Sequence, residues 1–222
     1  MLKVKICGIT SPEHALAAAK AGVDYVGLVF APSPRKLTTE QGLLVSRAVR
    51  AWRGQRPTPE LVGLFVNSPA EEVNRIASLC HLDVVQLSGD EPLKYCLKIR
   101  SPLIKTVHVS PDQDVESLEE RLSSLHELAI VPLLDAAVPG KYGGTGRTVN
   151  WELARRLAES HAFLLAGGLN PSTVGEAVGM VHPWGVDVSS GVETKGVKDT
   201  GKIRAFVAAA REAEQLNERE QP

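Results

Sequence analysis

Two residues far apart in the chain, Cys7 and Asp135, have the chemistry of a proton-transfer pair: a thiol suits a general base and a carboxyl group a general acid. Each closes a short aliphatic run, Val4-Lys5-Ile6-Cys7 and Leu133-Leu134-Asp135. Further polar residues stand at equivalent places: Arg35 follows the second such run, and Asp187, Ser189 and Ser190 close the last. If Val4 and Ile6 face outward, strand alternation turns Lys3, Lys5 and Cys7 inward, with Cys7 uppermost. The same parity points Leu133 and Asp135 together and turns Asp187 away from Val186 and Val188. A lone strand cysteine is commonly a small buried hydrophobe, and a loop aspartate is commonly a cap. Position at the ends of two strands is what argues for chemistry here.

Anion capture is the second signal. Gly143-Gly144-Thr145-Gly146, Gly167-Gly168-Leu169 and Ser189-Ser190-Gly191 are loops whose small residues let a backbone approach an oxyanion, with helix N–H groups following. Turn chemistry accounts for any one of them alone. Two of them after consecutive strands match the phosphate site of one particular architecture.

Those residues need elements to hold them. Aliphatic runs at residues 2–9, 25–30, 61–66, 84–87, 103–109, 130–135, 163–166 and 185–188 alternate with helical patterns, giving eight βα units. Several runs lack any polar interruption, as strands covered on both faces do. Ser11-Pro12-Glu13, Ser68-Pro69-Ala70 and Asn170-Pro171-Ser172 mark helix starts. The expected fold is a single-domain (β/α)8 TIM barrel over residues 1–210, with short helices and loops, and a charged tail over 211–222 that frays. Residues 51–60 read as an exposed connector and 136–150 as a long glycine-rich active-site loop. An open doubly wound sheet is the alternative, but no GxGxxG follows the first strand.

Composition narrows the partners. The 222 residues are 43% hydrophobic with a formal charge of -1, enough for a full core and too balanced for a nucleic-acid or anionic-membrane footprint. Small ligands are expected. No apolar stretch approaches the ~18 residues of a membrane span, and the N-terminal run Met1–Cys7 reaches Gly8 too soon for a signal-peptide hydrophobic region, so a cytoplasmic protein is expected. The three cysteines lack CxxC spacing and the six histidines lack HxxxH spacing, so no metal is expected. Cys80, Cys96 and the charged run 211–220 receive no function.

Taken together, the motifs resemble the phosphoribosylanthranilate isomerases of tryptophan biosynthesis. The resemblance runs through Lys5-Ile6-Cys7-Gly8-Ile9-Thr10, Ser33-Pro34-Arg35, Val62-Gly63-Leu64-Phe65-Val66-Asn67, Ala166-Gly167-Gly168-Leu169-Asn170-Pro171 and Val186-Asp187-Val188-Ser189-Ser190-Gly191-Val192-Glu193. It implies an Amadori rearrangement of a phosphosugar without a cofactor. Asp135 would protonate the ring oxygen, Cys7 would take the C2 proton, and Arg35 would hold the anthranilate carboxylate. Gly143, Gly144, Gly146, Gly167, Gly168, Asp187, Ser189 and Ser190 complete the expected substrate site, in a monomer or homodimer. Two departures stand out. The segment before Arg35 is one residue shorter than the family's, which brings Lys36 in as the alternative carboxylate partner, and Ser88 stands where the family's VQLHG motif has histidine. The competing functions are the histidine-pathway phosphoribosyl aminosugar isomerase, which uses paired aspartates, and a non-catalytic phosphosugar-binding barrel.

Overall fold

The structure, a computed structural model, describes residues 1–110, 113–136 and 149–220. Among them, parallel strands and helices alternate in the order β1 (Lys3–Ile6), α1 (Pro12–Ala21), β2 (Tyr25–Val29), α2 (Thr39–Arg50), β3 (Glu60–Phe65), α3 (Ala70–Leu79), β4 (Val84–Leu87) and α4 (Leu93–Cys96). The second half continues with β5 (Leu103–Val109), α5 (Val115–Glu127), β6 (Val131–Ala136), α6 (Trp151–Ala158), β7 (Leu164–Leu165), α7 (Val174–Val181) and β8 (Gly185–Val188). A 3-10 turn at Ser190–Val192 and a small hairpin, β9 (Glu193–Thr194) and β10 (Val197–Lys198), precede α8 (Thr200–Glu220). Strands β1 to β8 pair in sequence order and β8 returns to β1, closing a (β/α)8 barrel.

Alternation sorts the core as parity requires. Val4, Ile6, Val26, Leu28, Val186 and Val188 join the large cluster under the helices. Val62, Val84, Ile104, Leu133, Leu164 and Ala166 fill the barrel interior. Above them Cys7, Val29 and Ala31 form a third layer with Leu64 and Val66. Helix starts follow local chemistry: Ser11 accepts from the His14 N–H, and Thr38 with Gln41 makes a capping box.

Several expected boundaries differ. The first strand ends at Ile6 rather than residue 9, because Gly8 takes φ +75° and its N–H and that of Ile9 both turn back to the Gly27 carbonyl. The Asn170-Pro171-Ser172 signal forms a turn in which Asn170 accepts from the Ser172 N–H, and α7 begins only at Val174. The segment from Arg211, expected to fray, continues α8. Arg211 pairs with Asp24 at 2.8 Å and bonds the Leu2 carbonyl, while Ala213 is buried and Asn217 reaches the Val178 carbonyl. Charged residues at the helix end conceal these contacts in the sequence. No helix among the described residues is long and apolar enough to cross a membrane.

Candidate active site

The C-terminal ends of the strands gather most of the expected residues. Cys7 lies one residue past β1, buried, and rests on Gly27 of β2, where an added Cβ would come within 3.0 Å of the sulfur. Asp135 on β6 and Asp187 on β8 line one small cavity with Gly167, Gly168, Ser189 and Ser190. A far larger cavity, about 870 Å³, lies at the opposite end of the barrel among Lys3, Asp24, Tyr25, Arg56 and Arg211. Size is a poor guide here, since the thiol, the paired carboxylates and the Gly167-Gly168 and Ser189-Ser190 loops all converge on the other end. Gly143, Gly144 and Gly146 lie outside the described residues.

Beneath the mouth is a group that residue types alone did not single out. Lys5, fully buried, donates to Asp187 at 2.8 Å, a pairing set by the β1–β8 register that places Lys5 opposite Asp187. Parity had turned Lys5 inward, two residues below Cys7, but only barrel closure supplies its partner. Burial opposes the lysine's charge, yet Asp187 and the neighbouring Cys7 sulfur outweigh it and hold the ammonium above its ordinary range.

Lys5 and Asp187 then set the fields around the pair above them. Burial, followed by the Asp187 charge, pushes Asp135 up to about 6, although the Ala136 N–H at 2.9 Å and Lys5 pull the other way. Burial also pushes the Cys7 thiol up, against the downward pull of Lys5 and Lys198. The pocket thus shifts both groups toward their protonated forms, the carboxyl group to about 6 and the thiol above its ordinary range.

The loops after β7 and β8, where an anion was expected, are shaped by backbone rather than side chains. Gly167 and Gly168 take φ of 86° and 64°. A Cβ on Gly191 would stand 1.9 Å from the Leu169 carbonyl oxygen, so the loops after β7 and β8 meet only because that position is bare.

Arg35 and Lys36 part company. Arg35 reaches over Gly8, where an added Cβ would meet its Cδ at 2.4 Å, and its Nε and Nη2 bind Glu193 at 2.6 and 2.7 Å. Lys36 lines a cleft on the helix side with Phe30, Phe65 and Ile76. Ser88 is buried and committed to Thr106 at 2.8 Å and to Gln86. An imidazole still reaches this rim, because His108 from β5 lies 3.0 Å from the Ser88 carbonyl. Glu193 and Lys198 were not among the expected site residues; Glu193 closes a quoted motif, whereas nothing local distinguishes Lys198.

The profile of the N-(5'-phosphoribosyl)anthranilate (PRA) isomerase family matches residues 4–209. An N-(5'-phosphoribosyl)anthranilate isomerase of Roseiflexus castenholzii is 51% identical over 212 residues, 95% of this chain and 98% of that protein. The corresponding protein of Dehalococcoides mccartyi is 42% identical over 217 residues, 96% and 98% of the two chains. Among solved structures, a phosphoribosyl anthranilate isomerase from Thermotoga maritima superposes with a TM-score of 0.82 at 37% identity, covering 96% of this chain and 100% of that one. Another, described as a complex with reduced 1-(o-carboxyphenylamino)-1-deoxyribulose 5-phosphate, gives 0.78 at 35% identity over the same shares. The barrel, its strand-end residues and these full-length matches agree: the chain belongs to the N-(5'-phosphoribosyl)anthranilate isomerase family.

Proposed function

We propose that this chain converts N-(5-phosphoribosyl)anthranilate into 1-(2-carboxyphenylamino)-1-deoxyribulose 5-phosphate, the isomerisation of tryptophan biosynthesis, with Asp135 as acid and Cys7 as base. Asp135 gives its proton to the ring oxygen, the C1–O bond breaks, and the anilino nitrogen's lone pair forms a cationic Schiff base. The Cys7 sulfur, as thiolate, then takes the C2 proton, leaving an enolamine that tautomerises to the ketone. The observation that carries this reading is Asp135 itself, buried beside Asp187 and pushed up to about 6, so that a strand-end carboxyl group keeps its proton far closer to neutrality than an ordinary aspartate does.

The thiol needs the substrate. At rest burial keeps it protonated, and the new cation adds to the pull of Lys5 and Lys198, so as the Schiff base forms the thiol gives its proton to water and the thiolate is free to take the one on C2. Substrate orientation follows from the lining. The phosphate is assigned to the loops of Gly167, Gly168, Ser189 and Ser190, joined by Gly143, Gly144 and Gly146, and Asp187 borders the sugar. The aromatic ring is assigned to the apolar layer of Val29, Ala31, Leu64 and Val66, with its carboxylate at Arg35. Lys36, on the helix side, is the weaker alternative for that carboxylate.

Turnover is read by the fluorescence loss of enzymatically generated phosphoribosylanthranilate. Cys7→Ala is expected to lower kcat by ~10²–10⁴-fold, and Asp135→Asn to lower kcat with a modest change in KM. Undiminished turnover in either variant removes that residue from its role. Consumption of the histidine-pathway aminosugar in its place would reassign the substrate.

A further inference from the structure

The proton-transfer pair leaves a second charged group unexplained. Glu193, at the start of β9, accepts from Arg35 Nε and Nη2 at 2.6 and 2.7 Å and from Lys198 Nζ at 2.7 Å. Lys198 also donates to the Ser189 carbonyl at 2.8 Å, so the same group borders the loop assigned to phosphate. The Glu193 and Lys198 side chains are only 7% and 1% exposed. Burial alone would push the Glu193 carboxyl group up, but its bonds to Arg35 and Lys198 hold it below the ordinary range.

Charge and geometry carry the argument. Two cations share one carboxylate in a poorly solvated place; burial lowers the Lys198 ammonium below its ordinary range, Glu193 opposes that, and with Lys198 charged one positive charge is left over. Glu193 also occupies the Nε–Nη2 edge of Arg35, while the Gly8 backbone lies against its stem. A guanidinium fixed on two sides offers its remaining edge in one direction.

We propose that Glu193 is a positioning residue for substrate recognition: it aims Arg35 and, with Lys198, leaves a seat of net charge +1 that selects an aryl group bearing one carboxylate. This deepens the reading above and rests on the assignment of Arg35 to the anthranilate carboxylate. Without Glu193 the two cations repel, Arg35 regains its rotamer freedom, and ordering it must be done by the substrate.

The test compares two glycosylamines of ribose 5-phosphate, one formed with anthranilate and one with aniline, which differ only in the carboxylate. For the anthranilate compound, Glu193→Gln should raise KM about tenfold with kcat within about threefold, the scale of one charge-assisted contact. For the aniline compound kcat/KM should hardly change. The double variant Glu193→Gln/Arg35→Ala should be no worse than Arg35→Ala alone, because the pair acts as a unit. Glu193→Asp keeps the charge at a shorter reach; it should give a smaller KM rise on the anthranilate compound only, and it serves if the glutamine variant does not fold. Equal losses on both compounds, no loss on either, or additive losses in the double variant would overturn the proposal and make Glu193 a loop staple. If Arg35→Ala itself treats both compounds alike, the carboxylate seat is misplaced and both readings fall. If Arg35→Ala discriminates and Glu193→Gln does not, only the positioning role falls.

Discussion

At the scale of single residues, Asp135 carries the proposed acid role and a cost in stability. Its carboxyl group is pushed up to about 6 by burial and then by Asp187, so the active form for an acid is the protonated one. The kcat/KM profile should therefore fall as pH rises through about 6 to 7, the free enzyme's acid being lost. Asp187→Asn should move that falling limb to lower pH, since it removes the anion that favours the proton and leaves Lys5 to pull the carboxyl group down; a limb that stays in place would separate Asp187 from Asp135. Stability should follow the same residue. A carboxyl group whose folded value lies above its unfolded value of 3.8 binds more protons when folded between pH 4 and 6. The contribution of Asp135 to stability should thus be lost as pH rises through that window. Asp135→Asn should raise stability at pH 7 by on the order of 2 kcal/mol and give no such gain at pH 4, measured by denaturant melts at both values.

At the scale of elements, the loops after β7 and β8 form one structure. The Gly191 position faces the Leu169 carbonyl so closely that a single methyl group must part the loops. Gly191→Ala is expected to cost roughly 1–3 kcal/mol of stability and to raise KM together with the inhibition constant of inorganic phosphate, because the proposed phosphate contacts are backbone ones. Enzyme kinetics with phosphate as competitor checks this; an unaltered phosphate constant would place the anion elsewhere. The same loops limit how far strand ends could be read from the sequence. Residues 163–166 look like an ordinary strand, yet β7 holds only Leu164 and Leu165 because the positive-φ glycines turn the chain away at once. Aliphatic composition reports burial, and the point at which pairing stops is set by backbone dihedrals.

At the scale of the whole molecule, closure is what creates the site. Pairing of β1 with β8 joins the two ends of the chain and puts Lys5 against Asp187, the buried pair beneath the thiol and the acid. Behind that seam Arg211 of α8 bonds the Leu2 carbonyl and Asp24, tying the last helix to the first and second strands. Arg211→Ala should lower stability by about 1–2 kcal/mol, seen as a reduced Tm, with kcat unchanged, since the contacts lie at the end of the barrel away from the mouth. A matched loss of kcat would mean that the seam transmits to the active site. A third buried pair, Lys105 with Glu91 at 2.8 Å, holds the β4–α4 connection through the Gly89 carbonyl and the Asn67 N–H.

The sequence carried the eight-unit pattern, the inward parity of Lys5 and Cys7, and the strand-end places of Asp135, Asp187 and the Gly167-Gly168 and Ser189-Ser190 loops, because strand alternation and turn chemistry are local properties. It separated Arg35 from Lys36 only by resemblance. The tertiary structure decided which partners those side chains have: Lys5 with Asp187, Arg35 with Glu193 and Lys198, His108 beside Ser88, and a helix continuing past Arg211. Each of these depends on the register of strands or loops distant in the chain, and on how burial weighs one charge against another, neither of which is written in neighbouring residues.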